Sequence, residues 1–385
     1  MDNEMAKVLF EEGATFILLD VPPGLEFGID YNSWTIGPKF KGVKMIPPGI
    51  HFIYYSARSK EVQTAPRTGF FYHFKHREIL VRKWDERTED IKDDDSISDE
   101  QIERFRLNKR DLDPFLGAYP YETYKIWVSL TNHLSVELLN RLQPKSQKIS
   151  SVTEFESESS TTQSRAAERE KAAEAAAGTS SGNQASDNTR NLATDDACLP
   201  QMKLNPNHVI NFTDCRVRYP ESSTPSQLSK YNMDLTYTLR YLITQQYNGR
   251  HDDILGEIQF SFVCFLIGQV YDAFDQWKRL VRLLCTCEAA LVEFPELYER
   301  FINALYFQVQ KIPDDFFVDI VSRDNFLTTT LTTLFTNLEE SDLEIDSGLR
   351  SKGRRFRQHL TRKFNWDFTA EPDEYSPVVV EIPQQ

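Results

Sequence analysis

Residues 146–200 divide the chain. Over this stretch Ser, Thr, Ala, Glu, Gln and Asn dominate, Phe155 is the only aromatic residue, and a helix-prone piece survives only in REKAAEAAAG. Such a segment cannot bury enough surface to offset its chain entropy, so residues 146–202 are expected to be a disordered linker. A fold must then be built on each side of it. The 385 residues are 40% hydrophobic and 12% aromatic, enough for two cores.

On the N-terminal side, residues 1–145, short apolar runs alternate with Gly and Pro as far as residue 90: ATFILLDVPPG, LEFGIDYNSWTIG, GVKMIPPGIHFIYYS and TGFFYHFKHREILVRKW. Strands of four to seven residues between such turns indicate an antiparallel sandwich or meander. In IHFIYYS, Phe52 and Tyr54 fall on one face and Ile53 and Tyr55 on the other, so both faces are expected to be covered. From residue 96 the texture becomes helical. Ser98 is positioned as an N-cap with Gln101 three residues on, and YPYETYKIWVSLTNHLSVELLNRLQP supplies one or two more helices.

On the C-terminal side, HVINFTDCRVRYP reads as extended and is expected to return as a strand to the first domain. Beyond it, residues 203–368 are helical. Val263, Leu266, Val270, Phe274, Trp277, Val281 and Leu284 recur at steps of three and four, with Asp272, Asp275, Lys278, Arg279 and Arg282 opposite and Gly268 placed to make a hairpin. Further helices are expected over 297–309, 316–321, 325–338 and 348–364. Together they indicate a bundle or a right-handed superhelix, without a clean repeat at fixed period. The tail, residues 369–385, carries Val378, Val379, Val380, Glu381 and Ile382 between Pro377 and Pro383. This β-branched run has no neighbour in sequence to pair with. It reads either as an edge strand folded back on the first domain or as a strand added to a partner's sheet, where backbone hydrogen bonds give affinity.

A formal charge of -14 argues against a protein whose main work is coating nucleic acid or an acidic membrane. The N-terminus does not have the pattern of a secretory signal, and the longest apolar run, around 260–270, is too short to span a bilayer. Five cysteines without a CxxC pair point to reduced thiols in the cytosol or nucleus. No dinucleotide, phosphate-loop, nucleophile-elbow or zinc-protease motif is present, and a non-enzymatic protein without cofactors is expected. His51, His73, His76 and Glu78 resemble a two-histidine-one-carboxylate iron set, but His73 and His76 differ by an odd number and face opposite sides of one strand. An iron oxygenase on the β domain is the remote alternative. Cations concentrate in RSKGRRFRQHLTRKF, where Arg350, Arg354, Arg355 and Arg357 form either a solvated helix face or a patch for an acidic partner or RNA. KGRRFRQ also passes for a nuclear-import signal. Ser151 and Thr153, each with Glu three residues on, fit an acidophilic-kinase pattern.

Seven blocks carry a resemblance: EFGIDYNSW, GPKFKGVKMIPPGIHF, LDPFLGAYPYETYKIWVSLTN, LGEIQFSFVCFLIGQVYDAFDQWKRLVRLLC, IPDDFFVDIVSRDNFLTTTL, LTRKFNWDF and PVVVEIP. Through them the chain resembles the Aar-two family of spliceosomal U5 snRNP assembly factors, over both ordered regions and the tail but not the linker. The resemblance implies an α+β protein: an N-terminal β-sandwich-like domain with appended helices, a linker, and an all-helical VHS-like domain. It implies a monomeric assembly chaperone that binds the C-terminal region of the Prp-eight scaffold, contacting its RNase H-like and Jab/MPN domains. The tail strand bridges these, blocking premature docking of the Brr-two helicase and of RNA until release in the nucleus, with phosphorylation as the proposed trigger. Direct RNA contact would be secondary, no membrane is involved, and the factor would occupy both cytoplasm and nucleus. On the helical superhelix alone, a trafficking or cargo adaptor is the competing reading.

Overall fold

Ten short strands give two five-stranded sheets in this computed structural model, which describes residues 3–58, 64–92, 97–153, 204–312 and 326–368. The strands are β1 (Ala14–Leu19), β2 (Glu26–Ile29), β3 (Asn32–Thr35), β4 (Gly42–Ile46), β5 (Gly49–Arg58), β6 (Thr64–Phe74), β7 (Ile79–Asp85), β8 (Asp90–Ile91), β9 (Leu116–Ala118) and β10 (Ile149–Ser150). One sheet runs β8-β7-β1-β4-β9, the other β10-β6-β5-β2-β3. The second is antiparallel throughout, as expected. The first is not: β1 pairs with β7 and β4 with β9 in parallel, so the sandwich is mixed.

Burial explains the departure, because parallel pairs occur where both sheet faces are covered. Residues Ala14 to Leu18 of β1 are all buried. Phe16 and Leu18 point into the inter-sheet core with Phe27, Ile53, Tyr55 and Trp84. Ile17 points the other way and joins Ile79 and Val81 beneath Ile102, Phe105 and Leu112. The covering residues come from α2 (Asp99–Leu107) and α3 (Lys109–Leu112), and α2 opens with the expected reciprocal cap between Ser98 and Gln101. At Gly42 the chain crosses β1 so closely, at φ 142°, that a Cβ would meet the Phe16 carbonyl oxygen. A helix not foreseen from the sequence, α1 (Asn3–Glu12), precedes β1.

The helical half comprises α6 (Pro225–Met233), α7 (Thr236–Gln245), α8 (Asp253–Leu266), α9 (Tyr271–Thr286), α10 (Ala290–Glu293), α11 (Pro295–Val309), α12 (Phe326–Glu340) and α13 (Ser347–Phe364). The α8–α9 hairpin turns at Gly268, as its position suggested, with Gln269 left-handed beside it. The expected helix at 316–321 lies outside the described residues.

The two halves share one core. Between them lie α4 (Tyr121–Thr131) and α5 (Val136–Leu142), whose Trp127, Leu130, Leu138, Leu139 and Leu142 are buried in the same cluster as Phe52 and Phe71 of the second sheet and Phe260 of α8. Phe71 and Phe260 have ring centroids 5.1 Å apart. Gly256 lets α8 approach the α4–α5 turn, since a Cβ there would lie 2.5 Å from the His133 carbonyl oxygen. Ser151 and Thr153, assigned from sequence to the linker, follow a strand: β10 pairs Ile149 with Gly69 and Ser150 with Thr68, because Ile149 supplies an apolar anchor in an otherwise polar run. The segment 205–220 does not return to either sheet. Asn211 N donates to Leu142 O and Ser146 N donates to Asn207 O, so this segment lies along the end of α5 instead.

Candidate partner-binding surfaces

The tail run Val378, Val379, Val380, Glu381 and Ile382 lies outside the described residues; its point of departure does not. α13 starts at Asp346, whose carboxylate accepts from Leu349 N at 2.9 Å, and it buries Leu349, Phe356 and Leu360. Gly353 lets Leu338 of α12 lie against it. After the left-handed Asn365, at φ 60°, the chain reverses. Trp366 stacks on Phe364 with centroids 4.7 Å apart, and Phe368, 6% exposed, meets Phe335 edge-on at 5.0 Å. The tail thus leaves from a fixed point.

The four arginines named from sequence do not act as one patch. Arg350 donates to Leu343 O at 3.0 Å and closes the α12–α13 loop. Arg355 donates to Ser351 O within its own helix, and Arg357 is paired with Glu339 at 2.8 Å. Arg354 is exposed and makes no ion pair among the described residues. Arg354 and Arg357 do meet Arg362, Gln358, Trp366 and Phe368 around an open groove of about 660 Å³. Spacing four residues beyond Gln358 places Arg362 there, and the reversal at the left-handed Asn365, which sequence does not announce, brings the aromatics.

Where the described chain leaves at Thr153 and re-enters at Leu204, a recess of about 310 Å³ is lined by Val152, Leu204, Val209 and Tyr271, all largely exposed. Ser151 N donates to Arg67 O, and the Ser151 hydroxyl accepts from Arg67 N, each at 2.8 Å. Thr153 is exposed beyond the end of that pairing. Arg67 itself reaches from β6 to Ile267 O at 2.7 Å and to Glu26 at 2.9 Å, tying the second sheet to the α8–α9 turn.

Sequence reasoning missed the polar knot that holds the halves together. Glu257, fully buried on α8, accepts from Thr213 N at 2.8 Å, Thr213 Oγ1 at 2.6 Å, Arg141 at 2.8 Å, Tyr247 Oη at 3.0 Å and Gln276 Nε2 at 2.9 Å. These donors come from α5, the turn after α7, α9 and the segment between the halves. The five donors saturate the roughly four lone-pair sites of the carboxylate, three of them crowding Oε2, and the pairing keeps a buried charge tolerable. The available signal was a lone acid inside the apolar run ILGEIQFSFVCFL. Burial, with Glu257 adding to it, pushes the neighbouring Cys215 thiol up to about 12, and burial raises Cys264, Cys285 and Cys287 as well, which makes these thiols inert.

The histidine set is not assembled. His51 is buried, with Nδ1 2.7 Å from Asp30 Oδ2 and Nε2 2.8 Å from Pro47 O, so both ring nitrogens are engaged. Asp30 also accepts from Phe52 N at 3.0 Å and from Tyr119 Oη. His73 and His76 are exposed, and Glu78 accepts from Tyr72 Oη at 2.7 Å and Lys75 N at 2.6 Å. The iron-site reading fails on this geometry: His51 braces the β2–β3 turn against α4. No helix among the described residues is long and apolar enough to cross a membrane.

Two sheets and a helical array on one core, with a basic helix feeding an anchored tail, define a two-module α+β protein. Profiles of the "AAR2 N-terminal domain" and the "AAR2 C-terminal repeat region" match residues 12–144 and 212–369. The chain belongs to the AAR2 family. It is 43% identical to the "Protein AAR2 homolog" of Homo sapiens over 100% of this chain and 97% of that protein, and 38% identical to that of Caenorhabditis elegans over 96% and 98%. The "A1 cistron-splicing factor AAR2" of Saccharomyces cerevisiae is 23% identical over 29% of this chain and 30% of its own length.

Proposed function

We propose that the chain is a non-enzymatic assembly chaperone for the U5 snRNP in pre-mRNA splicing, and that it binds the C-terminal region of the Prp-eight scaffold partly through its tail. The observation that carries this reading is the anchoring of Phe368 against Phe335, which starts residues 369–385 from a fixed point on a folded body. The splicing role in the name of the yeast relative supports the setting. In an extended tail, Val378, Val380 and Ile382 share one face and Val379 and Glu381 the other, a pattern suited to strand addition on a sheet edge.

A tethered strand meets its site at an effective concentration in the mM range, so a weak ladder can raise the affinity of an already docked body by about 10²-fold or more. Ordering the tail returns roughly 2–5 kcal/mol of that gain, which keeps the complex reversible. On this reading the VHS-like helical region supplies the docked body, and the strand bridges the RNase H-like and Jab/MPN domains. Occupying that edge denies it to the Brr-two helicase. The factor acts as a monomer in cytoplasm and nucleus, and a phosphate on Ser151 or Thr153 would add about two negative charges at the recess between the modules. RNA contact is secondary, because three of the four named arginines are already engaged within the helical region.

Capture of the purified Prp-eight C-terminal fragment by the intact chain and by a form ending at Glu374 tests the role of the tail. Truncation is expected to weaken capture by about tenfold or more. Equal capture by both forms would overturn it.

A further inference from the structure

Four strands end the two sheets. β8, β9 and β10 offer two or three residues each, and Lys148 covers β8 by donating to Ile91 O at 2.7 Å. β3 (Asn32–Thr35) is the longest of the four. It pairs with β2 in unbroken register and contains none of the charges, prolines or bulges that ordinarily blunt an edge. Ile36 N donates to Leu25 O, so by alternation Asn32 and Trp34 turn their backbone groups toward β2 while Ser33 and Thr35 turn theirs outward. Both are exposed, and among the described residues no hydrogen bond reaches the outward N–H or C=O of either.

The rim beside this edge is aromatic and basic. Trp34 is 41% exposed. It stands opposite Phe27, and the ring of Phe40 lies 5.1 Å from that of Phe27, which brings Lys39 and Lys41 to the same rim. Residues 31–44, YNSWTIGPKFKGVK, hold three lysines and no acid in a chain of net charge -14. Lys44 is paired with Asp113, and Glu26, the acid on β2, with Arg67. Lys39 and Lys41 are exposed and make no ion pair among the described residues.

We propose that the outer edge of β3 accepts an extended acidic segment of a partner protein. The segment adds as a sixth strand of the second sheet, packs on Trp34 and places carboxylates against Lys39 and Lys41. The four free backbone groups supply affinity, and the side chains and charges supply selectivity. The charges also choose among occupants. A second copy would bring a second set of lysines and no acid to the edge. RNA would stack on Trp34 but leave the ladder of Ser33 and Thr35 unmade, and two open cations neutralise few phosphates. The chain is then a strand acceptor, whether or not its tail is a strand donor.

Fluorescence anisotropy of the full chain with a labelled peptide, EETVTVEE, tests this. Saturable binding is expected at low salt, with loss of affinity in 0.5 M salt. Thr35→Pro removes an outward N–H without touching the β2 pairing and should weaken binding by about tenfold. Lys39→Glu/Lys41→Glu should weaken it by about fivefold or more, and it leaves the strand intact, so it tests the site independently of the proline variant. No saturable binding of EETVTVEE, or equal binding of KKTVTVKK, would overturn the proposal. Oligouridylate that displaces the peptide and ignores Thr35→Pro would overturn it by assigning the rim to RNA. A dimer in sedimentation that Thr35→Pro dissolves would overturn it by assigning the edge to a second copy.

Discussion

Replacing Glu257 with Ala is expected to lower the free energy of unfolding by about 3–5 kcal/mol, the range for breaking a buried ion pair by removing one partner. Thr213 N and Oγ1, Tyr247 Oη and Gln276 Nε2 would lose an acceptor in a site closed to water, each worth roughly 1–3 kcal/mol if left unmade. The loss of Arg141's partner adds less than a fully buried pair would, because that guanidinium is 31% exposed and can turn to solvent. Glu257→Gln keeps the volume but presents an amide N–H₂ to donors, so an intermediate loss of about 2 kcal/mol is expected. Denaturant unfolding at neutral pH measures both. A loss below about 1 kcal/mol for Glu257→Ala would show that the knot does not bind the modules.

Phe260→Ala is expected to cost about 3–5 kcal/mol. Phe260 is fully buried on α8, with Phe71 of the second sheet 5.1 Å away and Phe212 of the connecting segment at 6.3 Å, so the cavity would open at the seam of the halves. Because the core runs through that seam, strand and helix signals should disappear together in the parent chain at one denaturant concentration. In Phe260→Ala the joint midpoint should fall. A β-rich half that unfolds separately in the parent chain, leaving the variant's helical transition unmoved, would contradict the shared core.

What could be read from the sequence was local. The α8–α9 stripe, the Gly268 turn and the Ser98 cap follow from periodicity and capping chemistry that neighbouring residues settle among themselves. His73 and His76 do not share the one strand that their spacing assumes: β6 ends at Phe74 and His76 lies in the turn before β7. What was not legible was which distant partner each element chose. The run ATFILL reads as a strand, but nothing in it says that β7 lies parallel to it. Ile149 was lost in a polar tract because two residues of strand carry no period. The arginines of α13 read as a patch because their acceptors, Leu343 O and Glu339, belong to the preceding loop and helix. Glu257 and Asp30 were passed over for the same reason: a buried acid declares itself in sequence only as an oddity, and its donors arrive from four directions.

A double module, held by the Glu257 knot and the Phe71–Phe260 seam, fixes the position of Phe368, and on the proposed function residues 378–382 would supply the added strand. Hydrogen–deuterium exchange of the intact chain, alone and with the Prp-eight C-terminal fragment, tests this most directly. The account predicts that amides within 378–382 exchange freely in the unbound chain and become protected in the complex, with unprotected and protected positions alternating if only one edge is paired. Amides that exchange as fast in the complex as in the free chain, while the folded body is protected, would contradict it.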